Sequence, residues 1–155
     1  MKSTITPFLW FDKDAGKIAR FYASIFSGSE IVSTRKLHNT PSGTVEIVTM
    51  ELLGQRLTLM SAGPFFKLNK AVSFVISCKT QKEIDYYWTK LSAAPEAEQC
   101  GWLKDKYGLS WQIVPEIVEK LTSDKDPKKA QRVTQALLQM KKIDIAKLKR
   151  AYSGK

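Results

Sequence analysis

Long apolar runs are missing from this 155-residue sequence. None approaches the roughly 20 residues that a membrane-spanning helix needs, so no such helix is expected. The first residues lead straight into a short apolar strand without the apolar core of a signal peptide, and a cytoplasmic protein is expected. There are two cysteines, Cys78 and Cys100, in no CxxC or zinc-like spacing, which excludes a disulfide framework and a cysteine metal cluster; buried structural thiols are expected. The single histidine, His38, stands beside a turn with no carboxylate partner at a useful spacing, so it anchors no catalytic triad and is read as solvated. The eight glycines are scattered without a GxGxxG turn, which removes the dinucleotide fingerprint. Glu46 and Glu51, five apart in one strand pattern, point to opposite faces and cannot act as a carboxylate pair.

What is present is the composition of a globular domain, 43% hydrophobic and 26% charged. The length suits one ordinary domain, able to bury a core without disulfides or metal. The net charge of +10 is unevenly placed. From Pro127 onward there are nine lysines and arginines and one acid, Asp144, which leaves sixteen bases against fourteen acids before it. A nearly neutral body with a basic tail is therefore expected, rather than a uniformly basic protein.

Periodicity divides the body into two similar halves. Residues 5–11 form an apolar strand; Asp12 or Asp14 can cap a helix whose face is Ala15, Ile18, Ala19, Tyr22, Ile25 and Phe26, stopped at Gly28. Strand patterns follow at 31–37, 44–53 and 55–61. A second apolar strand at 72–78 leads into Thr80-Gln81-Lys82-Glu83, a capping box, and a helix with Ile84, Tyr87, Trp88 and Leu91 on one face. Shifting the chain on itself by 66 positions superposes Ile18 on Ile84, Tyr22 on Trp88, Ile25 on Leu91, Asp14 on Thr80 and Leu9 on Val75. This is a module present twice, not a solenoid. Shorter strands at 98–103 and 109–114 close the second half. A short helix at 116–121 and two amphipathic helices starting at Asp126-Pro127 and Asp144 complete the tail.

The order strand, Asp-capped helix with Phe21-Tyr22, three strands, then the same again resembles the vicinal oxygen chelate superfamily, which includes glyoxalase I and extradiol dioxygenases. The words Ile5-Thr6-Pro7-Phe8-Leu9-Trp10-Phe11, Cys100-Gly101-Trp102-Leu103-Lys104-Asp105-Lys106-Tyr107-Gly108-Leu109-Ser110-Trp111-Gln112 and Lys141-Lys142-Ile143-Asp144 look like its PhnB-like branch, often labelled 3-demethylubiquinone-9 3-methyltransferase. The resemblance implies an α+β fold: two βαβββ modules, about 1–63 and 70–115, curled into a cup within a domain 1–115, with a basic helical extension 116–155 packed on it.

With that fold in view, strand alternation assigns sides. Odd-numbered residues of the first strand (Pro7, Leu9, Phe11) are expected to face the cavity while Phe8 and Trp10 pack against helices; by the repeat, Ser73, Val75 and Ser77 face it too. The expected lining is Leu9, Phe11, Ser61, Ser73, Val75, Trp102, Ser110 and Gln112. Metal-dependent members of the superfamily use His, Glu or Gln at positions matched here to Pro7, Ser61, Ser73 and Gln112. Only Gln112 could coordinate, so no metal and no other cofactor is expected. The expected partners are a small, partly apolar organic molecule and a second copy in a homodimer, with no membrane. Nucleic acid or an acidic partner on the basic tail is the alternative, and a charge run of this kind is more often a solvated face. Methyl transfer, implied by the label, has no Gly-rich donor-binding turn to support it; catalytic residues are not identifiable.

Overall fold

The computed structural model describes residues 3–155 and contains two compact units, the first reaching Leu68 and the second running from Asn69 to Lys155. In the first, β1 (Phe8–Phe11) leads to α1 (Ala15–Ile25), followed by β2 (Glu30–Thr40), β3 (Gly43–Leu52) and β4 (Gln55–Ser61). The sheet order is β1-β4-β3-β2, with β1 parallel to β4 and the other pairs antiparallel. The β3–β4 connection is Leu53-Gly54, both at positive φ, the conformation of a two-residue hairpin turn matched to strand twist. The sequence pattern for β1 begins too early: Pro7 lacks an N–H, and only its carbonyl joins the sheet, accepting from Thr58 N at 3.0 Å.

The second unit contains β5 (Ser73–Cys78), α2 (Gln81–Leu91), a single 3-10 turn (Pro95–Ala97), β6 (Trp102–Lys104) and β7 (Ser110–Pro115), then α3 (Ile117–Thr122), α4 (Pro127–Leu138) and α5 (Ile145–Ser153). Its sheet has three strands, β5-β7-β6, so the second module is one strand short of the first. In chain order the tight turn with Pro95 follows α2, as β2 follows α1 in the first unit. The amides just before β6 instead bond to the tail: Cys100 N to Met140 O and Gly101 N to Lys141 O, both 2.8 Å. Leu121, Val133, Met140, Ile143 and Leu148 make a small core joining α3, α4 and α5.

The starts of α2, α4 and α5 follow local chemistry. Thr80 and Glu83 form the capping box in full, Asp126 accepts from Lys128 N and Lys129 N, and Asp144 accepts from Lys147 N. In the first unit α1 departs from expectation. Asp14 is at its start with φ 64 and makes no side-chain cap. The carboxylate of Glu46, on β3, accepts from Gly16 N at 2.9 Å instead.

That bond also marks which face of the first sheet α1 covers. Glu46 pairs with Ser61, Val48 with Leu59 and Met50 with Leu57, while Leu9 pairs with Leu59 and Phe11 with Ser61. Paired residues share a face, so Leu9 and Phe11, each 5% exposed, lie with Glu46 on the side of α1. Phe8 and Trp10 lie on the other side, where Trp10 and Met60 pack with Val45, Ile47 and Ala62. The assignment of Leu9 and Phe11 to a cavity and of Phe8 and Trp10 to the helix is thus reversed. The cause is one residue. Two residues, Asp12 and Lys13, separate β1 from the start of α1, whereas Lys79 alone separates β5 from Thr80. The helices repeat at a spacing of 66 and the strands at 67, and a one-residue slip exchanges the two faces of a strand.

Candidate functional site

In the second unit, Ile76, Cys78, Leu103, Trp111 and Ile113 are all buried. The Glu83 carboxylate of α2 acts on the Cys78 thiol, and that thiol in turn on Tyr87 of α2, which places this set on the side of α2. The alternate residues form the helix-free face. Register arranges them in rows across three strands. Lys104 of β6 stands opposite Ser110 of β7, which stands opposite Ser73 of β5; the next row is Trp102, Gln112 and Val75. Gln112 Nε2 donates to Ser73 Oγ at 2.9 Å, tying the two rows together. Ser110 is 2% exposed and Val75 58%, with Ser73, Trp102, Lys104 and Gln112 half-buried.

Five of the expected lining residues, Ser73, Val75, Trp102, Ser110 and Gln112, therefore meet on one face. Leu9, Phe11 and Ser61 do not; they lie in the first unit on the side that α1 covers. Sequence reading missed Lys104, although its parity with Trp102 is visible. It also missed Asp105, 3% exposed, whose Oδ1 accepts from Tyr107 N (2.8 Å) and Leu109 N (3.1 Å) and whose Oδ2 accepts from Trp111 Nε1 (2.8 Å). This carboxylate builds the β6–β7 turn and so sets the strand pairing on which the rows depend. The signal was an Asp followed three residues later by Gly108, a turn signature.

At the strand offset of 67 the counterpart of Ser73 is Thr6, not Pro7, and that of Gln112 is Thr58, not Ser61. Within each unit the pair offers neither a carboxylate nor an imidazole, which is poor chemistry for a divalent transition metal. Among the described residues no three His, Cys, Asp or Glu side chains gather into a possible metal site. A nucleotide-type cofactor fits no better at the turn after β1: it is Asp12-Lys13-Asp14, and the Glu46 carboxylate already occupies the amino end of α1.

His38 is exposed on the β2–β3 hairpin, with Nδ1 3.2 Å from Thr44 Oγ1. In the tail several cations already have partners. Lys142 pairs with Asp85 (2.6 Å) and Lys141 with Glu98 (3.6 Å), Arg132 donates to the carbonyls of Ala151 and Tyr152, and the Lys129 ammonium lies 5.2 Å from the centre of the Tyr152 ring. No helix among the described residues is long and apolar enough to cross a membrane.

Residues 3–114 match the family model 3-demethylubiquinone-9 3-methyltransferase. Among solved structures, the PhnB protein of Bacillus cereus is 31% identical, with a TM-score of 0.60 over 73% of this chain and 99% of its own. Protein PA1353 of Pseudomonas aeruginosa is 14% identical, with a TM-score of 0.57 over 74% and 98%. The fosfomycin resistance protein FosX of Listeria monocytogenes is 14% identical, with a TM-score of 0.54 over 77% and 97%. Those likenesses establish the α+β vicinal oxygen chelate fold. No curated protein matches the sequence.

Proposed function

Because the chain belongs to the 3-demethylubiquinone-9 3-methyltransferase family, we propose that it keeps the small-molecule role of its fold and binds a compact, partly apolar organic molecule on the helix-free face of its second sheet, without a metal. The observation that carries this reading is the pair of rows. Trp102 and Val75 supply an aromatic plane and an aliphatic patch, while Ser73, Ser110 and Gln112 supply a few placed polar groups, the mixture typical of ligand sites. The Gln112–Ser73 hydrogen bond fixes the amide, so its carbonyl oxygen is oriented before a ligand arrives.

Methyl transfer, the activity in the family's name, requires a methyl donor. The residues after β1 do not suit a donor gripped in the nucleotide fashion, and the reading therefore stops at binding. Detection of methyl transfer by the purified chain alone, with S-adenosylmethionine and a quinol, overturns that limit. Binding is tested by thermal denaturation against a panel of planar organic compounds. A ligand at one hundred times its Kd adds about 2.7 kcal/mol, and Gln112→Ala is expected to abolish the resulting rise in Tm. If no compound shifts the wild-type Tm, or if Gln112→Ala leaves the shift intact, the reading fails.

A further inference from the structure

Resting on that reading, we infer that the ligand carries an anionic oxygen group, and that Lys104 selects for it: the class is an aromatic or similarly planar carboxylate. Lys104, Ser110 and Ser73 stand in one row across β6, β7 and β5. With neighbouring strands ~4.8 Å apart, the three donor-bearing side chains arise within about 10 Å of one another. Ser73 Oγ already accepts from Gln112, which leaves its proton to donate elsewhere. None of the ion pairs found among the described residues includes Lys104. The adjacent acid, Asp105, is turned away to Trp111 Nε1 and the turn amides. Lys104 is thus a half-buried cation in one row with two hydroxyls, and among the described residues no acid pairs with it. Trp102 lies two residues before Lys104 on the same face, roughly 7 Å along the strand, a reach that suits a ring on the indole and a carboxylate at the ammonium.

The test is calorimetric titration of the full chain with 2-naphthoate and its neutral analogue 2-naphthamide. Wild type is expected to bind the carboxylate at least about tenfold more tightly, as a charge-assisted hydrogen bond provides. Lys104→Met should remove that preference and leave the amide's affinity unchanged, while Lys149→Met, a tail variant of equal charge change, should keep it. Equal affinity for the two probes in wild type overturns the inference without needing any variant to fold. If that common affinity falls in Trp102→Ala, the binding face stands and only the anion preference is lost. An equal loss in Lys149→Met also overturns it, since net charge would then explain the preference. No binding of either probe overturns the inference, and the reading beneath it falls as well only if no compound of the thermal-denaturation panel shifts the wild-type Tm.

Discussion

The Cys78 thiol is pushed from its ordinary 9.0 up to about 11, chiefly by burial and secondarily by the Glu83 and Glu116 carboxylates. A thiol so placed is protonated and unreactive at neutral pH. Cys100 is only half-buried. Alkylation of native protein at pH 8 is therefore expected to label Cys100 and spare Cys78, with both labelled in denaturant. The raised value has a stability consequence. Stability from the neutral thiol is complete below pH 9 and is lost as pH rises towards 11, because the unfolded chain releases its proton first. Cys78→Ala should flatten the fall in Tm across that window, and an unchanged slope would remove the thiol as its cause. Asp105 makes a second residue-scale case. Asp105→Ala leaves the Trp111 indole N–H and two turn amides without their acceptor, an expected loss of about 3 kcal/mol, measurable by urea denaturation.

At the scale of elements, the start of α1 depends on a residue 30 positions away. Removing the Glu46 carboxylate in Glu46→Ala is expected to cost about 1 kcal/mol and to increase amide exchange in the first turn of α1. The caps at Thr80, Asp126 and Asp144 were legible because each acts within three residues; that of α1 was not, because a strand pattern does not say which helix end its side chains will meet. The same limit explains the site. The faces of β5 were assigned by carrying the assumed parity of β1 across the 66-residue repeat; the extra residue between β1 and α1 makes the strand offset 67, so Ser73 and Val75 fall on the helix-free face while Leu9 and Phe11 do not. At Gly101, φ +86, an added Cβ would lie 2.9 Å from the backbone oxygen of Ile113 on β7 and 2.8 Å from Ile143 Cδ1 of the tail, so glycine allows both close approaches. Gly101→Ala is expected to destabilise by about 1–3 kcal/mol, read as a lower Tm.

Taken as a molecule, the chain combines a fold that its sequence announced with a tail whose charge is partly spent inside the second unit. Gln81 donates to Ile143 O (3.1 Å) and accepts from Ile145 N (3.0 Å), and Gln99 donates to Leu138 O (2.8 Å). Such bonds hold the segment between α4 and α5 against α2 and the approach to β6. Composition alone counted the tail's lysines and arginines as a free basic run. It could not show that Arg132, Lys141 and Lys142 are bonded within their own unit. The central claim, that the helix-free face of β5, β6 and β7 is the binding face, is tested most directly by nuclear magnetic resonance. Amide shifts of the labelled full chain would be followed during titration with 2-naphthoate. The account predicts saturable changes centred on Ser73, Val75, Trp102, Lys104, Ser110 and Gln112. Changes confined to α4 and α5, leaving those six amides unmoved, would contradict it.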